Sequence, residues 1–135
     1  MAEKISLSGV PETMLQTVYA RAKETEQRGA ICDKKAVEIV KKLDYDFSLA
    51  DKDTAMSSGV IARTIVLDRR VKQYLEEHPG AVVVNIACGL DTRCYRMEGY
   101  THWYNLDLPE TIAIRNQIFA ESGRVSTIGI SALDP

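Results

Sequence analysis

The run Ala81 to Ala87, AVVVNIA, constrains this chain more than any other part of it. It is rich in β-branched residues, is too short to be a helix of its own, and leads at once into a small-residue turn containing Gly89. Such a run predicts a strand buried on both faces, the habit of parallel sheets covered above and below by their crossovers. It also marks the one change of pattern along the chain. Before His78, Pro79 and Gly80 the apolar spacing is helical, and after them short apolar runs alternate with helical segments.

Upstream, Pro11 suits the first position of a helix in which Met14, Leu15, Val18, Tyr19 and Ala22 share one face. That helix fades near Arg28 and Gly29. Asp33 is placed to cap a second helix, with Ala36, Val37, Val40 and Leu43 facing inward. Residues 44–54 read as acidic and irregular. Ser57 or Ser58 then opens a third helix reaching about Glu77, with Ile61, Ile65, Val71, Tyr74 and Leu75 as its buried stripe.

Downstream, Thr101 to Leu106 reads as a second strand, and Pro109 to Glu121 as a helix burying Ile112, Ile118 and Phe119. Arg124 to Ile130 reads as a third strand. This alternation predicts an α/β fold of parallel βαβ units with right-handed crossovers. The expected division is a helical segment over residues 1–78 and a sheet domain over 79–135.

Composition narrows the function. Seventeen basic and nineteen acidic residues leave a net charge of −2. Nucleic acid and anionic membranes call for a concentrated basic face, so neither is an expected partner. The longest strongly apolar run is far below the ~20 residues that cross a bilayer, and the N-terminus has no apolar signal region. Cys32, Cys88 and Cys94 are odd in number, have no C-x-x-C spacing and are accompanied by only two histidines. No disulfide framework and no metal site are expected, and the compartment reads as a reduced cytoplasm.

In an open α/β sheet, ligands bind beyond the carboxyl ends of the strands. Three features fall there. Ala87 and Gly89 follow the first strand and let a ligand approach the backbone closely. Asp107 ends the second strand eighteen residues beyond Gly89, near the spacing at which an acidic group takes ribose hydroxyls. Ser131, Ala132, Leu133 and Asp134 follow the third, placed to flank an adenine ring. Each has a plainer explanation, a tight turn for Gly89 and a helix N-cap for Asp107. The dinucleotide fingerprint G-x-G-x-x-G is absent, its positions holding Ala87, Gly89 and Thr92, and no Gly-Lys-Ser/Thr follows. A nucleoside without a pyrophosphate asks less of such a turn, which favours adenosine joined to an amino acid over NAD.

The segments VVVNIACGLDTR (82–93), Tyr95 with Arg96, YNLDLPE (104–110) and the upstream RTIVLDR (63–69) resemble the leucine carboxyl methyltransferase family. The likeness runs from about Glu12 to Pro135 and is closer to the family's tetracenomycin-type polyketide O-methyltransferases. It implies a Rossmann-like class I methyltransferase fold with S-adenosylmethionine as cofactor and a carboxylate or hydroxyl oxygen as methyl acceptor. Gly89 and Ala87 would line the cofactor, Asp107 take the ribose, Leu133 and Asp134 border the adenine, and Arg63 grip the methionine carboxylate. A guanidinium suits that last task through paired hydrogen bonds, although a lone helical arginine is ordinarily just solvated; Arg21 is a weaker candidate for the same site. The family usually carries glycine where Ala87 stands, which predicts a tighter or shifted turn. It also often carries an acidic residue, in its carboxyl-methylating members, where Ala132 stands.

Asp91 and Arg93 read as structural, the carboxylate as a cap for a short helix and the arginine as its partner. Cys88 has no neighbouring base to make it a nucleophile. His102 lies five residues before Asp107, about 16 Å away at ~3.3 Å per residue, on the opposite edge of the sheet. His78 lies on that edge too, so no catalytic base is visible. The family's sheet has about seven strands and this chain supplies three, so the fold is expected to be truncated before its acceptor half. A free apolar strand edge would favour self-association. Two rival functions stay open: an inactive methyltransferase-like module that binds or self-associates, and a nucleotide-dependent oxidoreductase on the same sheet.

Overall fold

A computed structural model describes residues 12–134, so the expected helix start at Pro11 lies outside the described residues. Packing divides the chain into two units, one ending at Arg69 and the other beginning at Arg70.

The first unit is helical. Its elements are α1 (Glu12–Gln27), α2 (Lys34–Lys42), α3 (Ser48–Lys52) and the opening turns of α4 (Thr54–Glu77). Leu15, Val18 and Ala22 are buried along α1 as their spacing predicts. Asp33 caps α2, its Oδ1 accepting the Ala36 N–H at 3.0 Å. Its other oxygen accepts from Arg21 Nε, also at 3.0 Å, so one buried carboxylate both starts α2 and fastens it to α1. α2 buries Ala36 and Ile39, with Leu43 at its C-cap, and leaves Val37 and Val40 half-exposed. Residues 44–54, expected to be irregular, contain α3. Tyr19 and Phe47 stack with ring centroids 4.5 Å apart, and Asp51 accepts from Tyr19 and Lys23, which together hold that short helix in place. α4 opens at Thr54 rather than at Ser57 or Ser58, because the Asp53 carboxylate accepts the Met56 N–H.

The second unit is a three-stranded parallel sheet, β1 (Ala81–Ile86), β2 (Tyr100–Asp107) and β3 (Val125–Gly129), in that spatial order. A 3₁₀ turn at Arg93–Tyr95 lies between β1 and β2, and α5 (Pro109–Ile118) between β2 and β3. Asn85 pairs with Asn105, and Asn105 with Thr127, so three polar residues line up across one face. On that face Trp103 packs with Leu75, Cys94, Met97 and Tyr100, flanked by Val71, Val83 and Val125. Tyr74, expected in the buried stripe of α4, is exposed and stacks on His78. α5 covers the same face with Ile112 and Ile118, and Phe119 follows them into the core. The helix lies close: a Cβ on Gly129 would stand 3.1 Å from Pro109 Cα and 3.5 Å from Ile112 Cβ.

The opposite face corrects the expectation of a strand buried on both sides. Val82, Val84 and Ile86 of β1 are 58, 54 and 60% exposed, and Ile128 and Ile130 join them across the sheet. The crossovers of this unit lie on the Trp103 face, so among the described residues no layer of this unit covers the β-branched residues pointing the other way. No described helix is long and apolar enough to cross a membrane.

Candidate cofactor site

The carboxyl ends of the three strands meet where the sequence places its candidate residues. The chain leaves β1 through Ala87 at φ +58° and reaches Gly89 at φ +50°. Among the described residues Ala87 is the one non-glycine in the left-handed region, a conformation that costs an L-residue about 1–2 kcal/mol. The family's usual glycine would adopt it freely. The turn therefore keeps a glycine-like path despite its methyl group. Local strain of this sort persists where surrounding bonds over-determine the backbone, and here they do. The Cys88 N–H donates to the Leu106 carbonyl at 3.0 Å, the Asp91 N–H to the Cys88 carbonyl at 2.8 Å, and the Gly89 N–H to Asp107 Oδ2 at 2.9 Å.

Asp107 thus touches Gly89 across eighteen residues of sequence. It does not cap α5, whose N-cap is Leu108 with no side-chain cap bond. Its Oδ1 accepts the Leu108 N–H at 2.7 Å. A carboxylate offers about four acceptor positions, so two protein donors leave capacity for ligand hydroxyls. A cleft of about 270 Å³ opens beside it, lined by Ala87, Asp107, Ile130, Ser131, Ala132 and Leu133 among others. That is slightly below the usual range of small-molecule sites, roughly 300–1,000 Å³, and its walls are mostly apolar, as a purine ring would want.

Of the expected site residues, Ala87, Asp107 and Leu133 line this one cleft, and Gly89 joins it through its bond to Asp107. Asp134 is exposed just beyond, its N–H on the Ser131 carbonyl. Arg63 is exposed on α4, in the helical unit. Arg21 is buried in that unit against Asp33.

The neighbouring residues are structural, with one correction: the N-cap of the 3₁₀ turn is Thr92, with no side-chain cap bond, and not Asp91. Asp91 Oδ2 accepts the N–H of Arg93, which opens the 3₁₀ turn, and lies 3.5 Å from the Arg93 guanidinium. Burial pushes the Cys88 thiol up to about 11 and the Cys94 thiol up to about 12, so neither is a nucleophile near neutral pH. His102 lies 2.7 Å from Ser126 Oγ, and His78 Nδ1 lies 3.1 Å from the Tyr74 carbonyl. A larger cavity of about 490 Å³ sits where β1 and β2 begin, beside Lys72, Pro79, Arg96 and Gly99. It lies at the wrong end of the sheet for this fold's chemistry.

Beneath the turn lies a group the sequence did not announce. Arg115, fully buried on α5, donates from Nε to Glu121 Oε1 at 2.7 Å and from Nη2 to Oε2 at 3.0 Å. Its remaining nitrogen, Nη1, donates to the Gly89 carbonyl at 2.9 Å. Thr127 and Tyr95 hydroxyls also donate to Glu121, at 2.6 and 3.0 Å. Burial alone would raise the Glu121 carboxyl, but the Arg115 bonds and charge, helped by those hydroxyls, hold it below its usual range. The Arg115 guanidinium is correspondingly raised: burial works against its charge and Glu121 outweighs it. One signal was available in the sequence. Arg115 falls three residues from both Ile112 and Ile118, inside the apolar stripe of its helix, where a charge needs a partner.

A Rossmann-like α/β sheet with a cleft at the strands' carboxyl ends defines the class of this molecule. The leucine carboxyl methyltransferase profile matches residues 14–131, and the chain belongs to that family. It is 38% identical over 134 residues to the tetracenomycin polyketide synthesis O-methyltransferase TcmP of Streptomyces glaucescens, covering 97% of this chain and 50% of the relative. It is 34% identical over 130 residues to the S-adenosyl-L-methionine-dependent methyltransferase dpfgK of Gibberella zeae, covering 87% of this chain and 44% of the relative. The chain spans about half the length of the curated relatives it matches.

Proposed function

We propose that this chain supplies the S-adenosylmethionine-binding half of an O-methyltransferase acting on a small molecule through a carboxylate or hydroxyl oxygen. The observation that carries the reading is the contact of Asp107 with the Gly89 turn at the mouth of the cleft. The residues present suit a nucleoside: an acceptor-only carboxylate for two hydroxyls, exposed backbone at Ala87, and apolar Ile130, Ala132 and Leu133 for a flat ring. The name of dpfgK supports the cofactor, and that of TcmP supports O-methyl transfer and a polyketide-like acceptor.

Bound there, S-adenosylmethionine supplies a methyl group to an oxygen nucleophile in an in-line displacement. The part of this chain is orientation. Asp107 would hold the ribose and the Gly89 turn would present its backbone beside it, orientation being what such a reaction demands of its enzyme. A carboxylate acceptor is ionised near pH 7 and needs no base, whereas a phenol of pKa about 10 would. Arg63 and Asp134 belong to the proposal on the resemblance alone, as partners of the methionine carboxylate and the adenine. Free cysteines, one exposed and two buried, suit a reduced cytoplasmic setting.

Isothermal titration of S-adenosylhomocysteine into the purified chain tests the reading. Wild type should bind, and Asp107→Ala should weaken binding by more than tenfold, about 1.4 kcal/mol. A folded chain that binds nothing would sink it. A second reading, a non-catalytic self-associating module, draws on the exposed face of Val82, Val84 and Ile86 and on β1, which among the described residues pairs only with β2. Sedimentation giving a concentration-dependent dimer without cofactor binding would decide for it.

A further inference from the structure

The loop after β1 is held by a closed circuit of hydrogen bonds that begins and ends within it. Asp91 accepts from Asn85 Nδ2 at 3.0 Å, and the same nitrogen donates to Asn105 Oδ1 at 3.1 Å. Asn105 Nδ2 donates to Glu121 Oε2 at 3.4 Å, Glu121 grips Arg115, and Arg115 returns to the Gly89 carbonyl. Gly89 is therefore pinned on both sides. Its N–H is taken by Asp107, the residue expected to meet the ribose, and its carbonyl by Arg115, eight residues further on. Turning either peptide plane would break one of these bonds.

The charges explain why the second pin is firm. A lone guanidinium in this interior would be strongly unfavourable, and Glu121 satisfies two of its nitrogens in the parallel arrangement that suits the fork. The Phe119 ring packs 4.1 Å from the Arg115 guanidinium carbon. With the guanidinium plane set by Glu121 and Phe119, the third nitrogen, Nη1, is held where it donates to the Gly89 carbonyl.

We propose that Arg115, locked by Glu121, is the positioning residue of the cofactor turn, setting the Gly89 backbone and through it the Asp107 carboxylate that receives the nucleoside. The proposal rests on the cofactor reading above. It makes Arg115 more than a core ion pair, since a lysine could neutralise Glu121 but could not also reach Gly89 as a fork does.

The test compares Arg115→Lys with Thr127→Val, which removes a different bond to Glu121 and leaves the Gly89 carbonyl alone. S-adenosylhomocysteine titration, thermal melting and the amide NMR signal of Gly89 are read on each. Arg115→Lys should stay folded, bind at least tenfold more weakly, and show a displaced Gly89 amide with faster hydrogen exchange. Thr127→Val should melt lower yet bind within twofold of wild type, its Gly89 amide in place. Should Arg115→Lys fail to fold, Glu121→Gln serves instead, with the amide displaced the same way by less. A Gly89 amide unmoved in the folded variant overturns the proposal, as does equal loss of affinity in Thr127→Val. A wild-type chain that does not bind while the amide still moves in Arg115→Lys defeats the cofactor reading but upholds the anchoring of the turn.

Discussion

Each unit of the molecule buries one arginine against one carboxylate, and the two pairs do different work. In the helical unit Arg21 meets Asp33, whose second oxygen caps α2, so the pair ends in secondary structure. In the sheet unit Arg115 meets Glu121 and keeps a nitrogen for the backbone of a loop. The first carboxylate also serves a helix cap, and the second arginine also serves a loop carbonyl. A guanidinium has five donors in a rigid fork, so it can serve a carboxylate and a carbonyl at once. Burial of charge is thus a matter of architecture in one unit and of site geometry in the other.

The harshest challenge to that contrast is Asp33→Ala. It removes the Asp33 carboxylate from buried Arg21 and takes away a helix cap, and breaking a buried pair typically costs about 3–5 kcal/mol, with ~1 kcal/mol more for the cap. Urea unfolding should show most of the helical unit's stability gone; a loss below about 1 kcal/mol would mean that the pair is not what joins α1 to α2.

Acid titration sharpens the other side. The Glu121 carboxyl is held below its unfolded value, so its contribution is fully present above about pH 4.3 and fades as pH falls through the lower folded value. The stability gap between wild type and Glu121→Gln should close over that acid range. A gap that is independent of pH would show that charge contributes nothing there.

Smaller in effect is Ala87→Gly. Relief of a left-handed alanine, about 1–2 kcal/mol, exceeds the extra backbone entropy of glycine, ~0.5–1 kcal/mol. Thermal melting should therefore rise by a few degrees. A lower melting point would mean that the methyl group makes a contact worth more than the strain. Least disturbing is thiol labelling at neutral pH, where Cys32 should react and Cys88 and Cys94 should not until the chain is denatured. Three fast thiols in the native chain would contradict the burial on which the Trp103 face depends.

Much of this was legible from residue order. Asp33 as a cap, the three parallel strands, and Ile112, Ile118 and Phe119 as core follow from local spacing that tertiary packing did not override. The pairing of Arg93 with Asp91 follows in the same way, although the cap of the 3₁₀ turn falls on Thr92, one residue later than expected. The exposed face of β1 did not follow, because Val82, Val84 and Ile86 look the same in sequence whether or not a layer covers them. Nor did α3, whose five residues are set by Tyr19 and Lys23 on α1 rather than by propensity of its own. The Arg115 circuit was hidden for a third reason. Its partners come from five elements and intervening loops, and no local pattern announces a bond from residue 115 to the carbonyl of residue 89.

The nearness of α5 to Gly129 carries a last consequence. A methyl group at 129 would stand 3.1 Å from Pro109 Cα, so the front of the helix would have to give by a few tenths of an ångström to admit it. Arg115 rides on that helix less than two turns further along, at ~3.6 residues per turn. A side chain at 129, on the far strand of the sheet, would therefore press on the helix whose Arg115 holds the Gly89 carbonyl.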